Sequence, residues 1–124
     1  MPLVLIVEDN EKNMKLVRDV LQFKGYRTLE ATTGVDGVRL AHEHLPALVL
    51  MDIQLPDIDG VTALKRIRAD VRTASIPVVA VSASVMADEQ QRVTASGFDA
   101  FVTKPINVKS FIEMVERFAG KPES

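Results

Sequence analysis

The chain has 124 residues, enough for one hydrophobic core and too few for two ordinary domains. Its residues are 47% hydrophobic and 26% charged, with a net charge of −2 and a pI near 5.7, so constitutive binding to nucleic acid or an anionic membrane is not expected. There is no cysteine, which excludes disulfides and thiolate zinc sites. No apolar run approaches the roughly 20 residues of a membrane span. Met1-Pro2-Leu3 runs into an apolar segment without a basic region or a cleavage site, so a cytoplasmic location is expected.

Leu3 to Val7 is nearly continuous in apolar residues and reads as a strand buried on both faces. Asn10 is placed to cap a helix in which Met14, Val17 and Leu21 share one side with Leu16 and Val20 beside them. Gly25 ends it. Arg27 to Ala31 reads as a weaker strand, and Gly34 to His44 as a short helix with Val35, Val38 and Ala41 inward, broken by Pro46. Ala47 to Met51 is a second buried strand, followed by a loop with Pro56 and Gly60, and Val61, Leu64 and Ile67 mark a third helix.

Pro77 opens the strand Val78 to Val81. The next helix, about Val85 to Ser96, is weakly amphipathic, with Met86 and Val93 its large inward candidates, and Gly97 closes it. Asp99 to Val102 is a fifth strand. Asn107 is placed to cap a last helix with Val108, Phe111, Ile112, Val115 and Phe118 on one side. The domain is expected to span 1–120, with 121–124 a polar, frayed tail. This start and tail lead us to expect a complete protein.

Five predicted strands alternating with five helices imply an α/β, doubly wound (βα)5 fold with a parallel five-stranded sheet. The most apolar strands, those at Leu3, Ala47 and Pro77, belong in the centre, and the order 2-1-3-4-5 satisfies this. In that order ligands sit beyond the carboxyl ends of strands 1 and 3, where the winding reverses.

Polar residues interrupt the buried strands at those same ends. Glu8 and Asp9 follow the first strand, Asp52 the third, Ser82 the fourth and Lys104 the fifth. Three crowded carboxylates repel one another, and burial raises their pKa unless a cation is present. A hard divalent ion resolves this, and Mg²⁺ suits carboxylates, waters and a phosphate oxygen. Lys104 adds a point charge suited to phosphate and Ser82 a hydroxyl, together a site for phosphoryl transfer.

The segments Val7-Glu8-Asp9-Asn10, Leu50 to Pro56, Val81-Ser82-Ala83 and Thr103-Lys104-Pro105 resemble the receiver domains of bacterial two-component response regulators, along the whole chain and in order. Leu5 to Leu21 and the Asp52 to Gly60 loop are most similar to DivK-like single-domain regulators. The resemblance implies a flavodoxin-like fold and a signalling phosphoacceptor, not a turnover enzyme, limited to Mg²⁺-dependent self-phosphorylation and slow autodephosphorylation. Asp52 would receive a phosphoryl group from a histidine kinase or a histidine phosphotransfer protein. Glu8, Asp9, the Asp52 carboxylate and the Gln54 backbone carbonyl would hold Mg²⁺. Lys104 would bind the phosphate. Ser82 and Phe101 would form the switch, with Phe101 in place of the common tyrosine, and small Ala83 would leave the acid accessible. Lys104-Pro105 would be a cis peptide. A downstream protein would bind the face of the fourth helix, fifth strand and fifth helix, with no direct contact to nucleic acid or membrane.

Receivers fused to hybrid histidine kinases share much of this signature, so a receiver excised from such a kinase is the alternative. A haloacid-dehalogenase-type phosphohydrolase would carry its nucleophile after the first strand and a second acid two residues on, where this chain has Gln54 after the third-strand Asp52. The intact acid, hydroxyl and amine set argues against a pseudo-receiver, and no glycine-rich loop follows the first strand. Asp57 and Asp59 lack the spacing of an EF-hand and read as turn or cap residues. His42 and His44 read as solvated, as do the basic residues Lys65, Arg66, Arg68 and Arg72. Met114 suits either the core or a partner surface.

Overall fold

A computed structural model describes residues 2–83 and 86–122. The elements run β1 (Leu3–Val7), α1 (Glu11–Phe23), β2 (Arg27–Ala31), α2 (Gly34–His44), β3 (Leu48–Asp52), α3 (Gly60–Ala69), β4 (Val78–Ser82), α4 (Ala87–Ala95), β5 (Ala100–Thr103) and α5 (Val108–Ala119). All neighbouring strands are parallel, in the order β2-β1-β3-β4-β5 expected from their apolarity. Expected strand limits move by about one residue, bringing Asp52 and Ser82 inside β3 and β4.

Side chains along each strand alternate between two cores. Leu5, Val7, Val49, Met51, Val78 and Ala80 face one side and pack with Ala41, Leu64, Ile67 and Val93. Val4, Ile6, Leu48, Leu50, Val79 and Val81 face the other, against Met14, Val17 and Leu21 of α1 and Phe111, Ile112 and Val115 of α5. Fully burying each such aliphatic side chain contributes about 1.5–3 kcal/mol. No helix among the described residues is long and apolar enough to cross a membrane.

Caps fall where the sequence placed them. The Asn10 and Asn107 side chains accept from the Asn13 and Ser110 amides at 3.0 and 3.1 Å. Gly25 and Gly97 follow α1 and α4 with φ of 96° and 115°, a region open to glycine. Before Pro46, Leu45 takes the left-handed cap with φ of 48°.

Five expectations are corrected, the last of them at His42. Val35 is exposed, because α2 packs through Gly34 and Gly37 instead. A Cβ on Gly37 would lie 2.7 Å from Val7 Cγ2, so only glycine lets the helix approach β1 this closely. Met86 is exposed and precedes α4, leaving Val93 as that helix's one buried residue; Val85 lies outside the described residues. Val108 is exposed in the first turn of α5.

Arg68 is the fourth. Its guanidinium turns from solvent to the carbonyls of Ala74 and Ile76 and to Asp99 Oδ2, the last at 2.9 Å. Asp99 Oδ2 also accepts the Val78 amide at 2.8 Å, so one carboxylate joins the end of α3 to the start of β4. Lys65 and Arg66 are exposed as expected, and Arg72 pairs with Asp70 at 3.1 Å. His44 is exposed, whereas His42 is half-buried, its Nε2 4.0 Å from Asp70 Oδ2.

Candidate functional site

Register brings the polar strand ends together. Val7 pairs with Met51, Asp52 with Val81 and Ser82 with Thr103, so Glu8, Asp52, Ser82 and Lys104 emerge at one edge of the sheet. The Lys104 amide donates to the Ser82 carbonyl at 2.8 Å, and the Lys104-Pro105 peptide is cis, as expected.

The Lys104 ammonium stands between two buried carboxylates, with Nζ 2.7 Å from Glu8 Oε1 and 3.1 Å from Asp52 Oδ2. The other Asp52 oxygen, Oδ1, accepts the Gln54 amide at 2.9 Å. Glu8 Oε2 accepts the Asn10 amide at 3.3 Å. Burial, reinforced by the neighbouring Asp52, pushes the Glu8 carboxyl up to about 7. Burial pulls the Lys104 amine down, but Glu8 and Asp52 together outweigh it and hold the amine above its ordinary value.

Asp9 is exposed, yet oxygens of Glu8, Asp9 and Asp52 lie within 4.8 Å of one another. The donor set is all oxygen, and two buried carboxylates with an exposed third beside them share the one ammonium of Lys104. Both observations fit a hard divalent cation. These acids line a cleft of about 390 Å³ with Gln54, Pro56, Ala83 and Lys104.

Ser82 is buried at the end of β4. Phe101 is half-buried on β5, packed against the core on the α2–α3–α4 side of the sheet. It lines two grooves, one with Gln91 and Thr94 of α4 and one with Phe111 and Met114 of α5. Met114 is half-buried.

Two neighbours of the site were not anticipated. Asn13, in the first turn of α1, lines the cleft. Gly60 presses on β3, where a Cβ would lie 2.6 Å from the Asp52 carbonyl oxygen. Asp59 caps α3 by accepting the Thr62 amide at 2.7 Å, as a turn residue should. Asp57 instead caps a different helix, accepting the Gly34 and Val35 amides of α2 at 2.8 and 2.9 Å. No local pattern announces that contact, because its partners lie 23 and 22 residues earlier.

The doubly wound sheet thus carries acids, a hydroxyl and a lysine together at its switch point. Residues 4–116 match the response regulator receiver domain family, and the chain belongs to it. The polar-differentiation response regulator DivK of Brucella ovis is 44% identical over 117 residues, which cover 94% of this chain and 95% of DivK. The receiver domain of the sensor histidine kinase PA1611 from Pseudomonas aeruginosa PAO1 is 28% identical, with a TM-score of 0.89 over 97% of this chain and 98% of that one. Its crystal structure has a magnesium ion coordinated in the active-site cleft. The chemotaxis protein CheY4 of Vibrio cholerae shares the fold, with a TM-score of 0.88 at 22% identity over 95% of this chain and 98% of its own.

Proposed function

We propose that the chain is a phosphoacceptor switch in a two-component phosphorelay, with Asp52 as the residue modified. The observation that carries this reading is the Lys104 ammonium lodged between Glu8 and Asp52, with Asp9 beside them. An Asp52 carboxylate oxygen attacks the phosphorus of a phosphohistidine. A P–O bond forms, the P–N bond breaks, and the departing imidazole nitrogen regains a proton. Lys104, already 3.1 Å from Asp52, is placed to meet the phosphoryl oxygens. Glu8, Asp9, Asp52 and the Gln54 carbonyl would hold Mg²⁺, which supplies charge neutralisation to an otherwise repulsive site. The chain's own contribution is chiefly position and fixed charge.

The modified state would be read by Ser82 and Phe101 and passed to the α4–β5–α5 face, where a protein partner binds. Histidine kinases and histidine phosphotransfer proteins are the expected donors. The 44% identity to DivK across nearly all of its length supports a response regulator over the receiver segment of a hybrid kinase. A signalling role, a cytoplasmic setting and a domain spanning 1–120 belong to the same reading.

Phosphoramidate with Mg²⁺ tests the assignment. Intact-mass measurement should find one labile phosphoryl adduct on the wild type and none on Asp52→Asn. Equal labelling of both proteins would move the acceptor elsewhere.

A further inference from the structure

Between Ile53 and Gly60 the chain leaves β3 and returns to it, the Gly60 amide donating to the Ile53 carbonyl at 3.0 Å. The inner wall of this loop, Gln54 to Pro56, lines the acidic cleft. Its outer end is held from outside. The Asp57 carboxylate takes the first two amides of α2, one on each oxygen. Ile58 lies so close to Gly34 that a Cβ there would sit 2.5 Å from Ile58 Cγ1. The amides of Val35 and Gly34 pull the Asp57 carboxyl down to about 2, so it stays ionised across any physiological range.

We infer that Asp57 is a positioning residue for chemistry at Asp52: by tying the loop to the amino end of α2 it fixes the Gln54–Pro56 wall of the cleft. The inference rests on the reading of Asp52 as phosphoacceptor and adds a residue that touches neither phosphate nor metal. Thr33 separates this role from simple capping. It caps the same helix, accepting the Asp36 amide at 3.1 Å, but makes no tie to the loop.

Three variants decide the matter: Asp57→Ala, Asp57→Asn and Thr33→Ala, each compared with wild type well below its melting temperature. Phosphoramidate labelling with Mg²⁺ should slow about tenfold in Asp57→Ala, within the roughly hundredfold that a small misplacement caused by a change remote from the chemistry can cost. Asp57→Asn keeps one acceptor oxygen and should fall between. Thr33→Ala should label at the wild-type rate even where it melts earlier. In the metal-free protein, the Gln54 amide, which donates to Asp52, should exchange with solvent faster in Asp57→Ala than in Thr33→Ala. Wild-type labelling in Asp57→Ala, unchanged Gln54 exchange, or an equal loss in Thr33→Ala would each overturn the inference. Should the wild type take no phosphoryl group, the reading of Asp52 falls, and Gln54 exchange still decides whether Asp57 holds the loop.

Discussion

Glu8 carries the main electrostatic conflict of the site. It is buried beside Asp52 with one lysine to share, and its carboxyl rises from an ordinary 4.5 to about 7. Between those values the folded protein binds more protons than the unfolded chain, so metal-free stability falls as pH rises through that window. The loss is about 2 kcal/mol once water at the cleft is allowed for. Urea unfolding in a chelator at pH 5 and pH 8 should show it in wild type and a flatter profile in Glu8→Gln. Identical profiles would place the conflict on another group. At this scale the convergence of Glu8, Asp9, Asp52, Ser82 and Lys104 was legible, because polar residues that close buried parallel strands share one edge of the sheet. The partners of Arg68 were not, nor which helix Asp57 caps. Both are set by groups on other elements, and a basic run looks solvated until the fold supplies its acceptors.

Among the helices α4 buries the fewest residues. It buries only Val93, and methionine at its N-cap position offers none of the oxygen acceptors that Asn10, Thr33, Asp59 and Asn107 provide elsewhere. Few buried apolar contacts mean a low cost of local displacement. Addition of beryllofluoride and Mg²⁺ should therefore shift the backbone amides of Ala87–Ala95 and Phe101 as well as those near Asp52. In Ser82→Ala the shifts near Asp52 should persist and those at Phe101 weaken. Silence of α4 and Phe101 in the wild type would reject this route. The periodicity that located α4 also brought Met86 inward, an error of phase at a helix start. A helix with one buried residue gives the pattern little to lock onto. In α2 Gly34 and Gly37 complete the inner face beside Val38 and Ala41, and glycines carry no hydropathy signal, so Val35 was drawn inward in their place.

For the molecule as a whole, a bound ion is a linkage term. A cation held by the folded site alone stabilises by RT ln(1 + [L]/Kd), about 2.7 kcal/mol at one hundred times Kd. Thermal unfolding should therefore move upward with Mg²⁺ in wild type. Asp9→Ala, which removes an exposed carboxylate and little packing, should keep its metal-free melting temperature and lose most of the Mg²⁺ response. An undiminished response would place the ion away from the three acids.

Fold class, strand order and the edge of the sheet that gathers the polar residues all followed from the chain read alone. Alternation of strand and helix permits few topologies, and a parallel sheet places its most apolar strands at the centre. Polar residues ending those strands then have one edge to share. Distances across that edge came only with the tertiary structure. So did the placement of Lys104 between Glu8 and Asp52, the tie from Asp57 to α2 and the turn of Arg68 beneath β4. Those contacts join residues far apart in the chain. Their energies depend on burial and on pairing across elements, which a local pattern does not record.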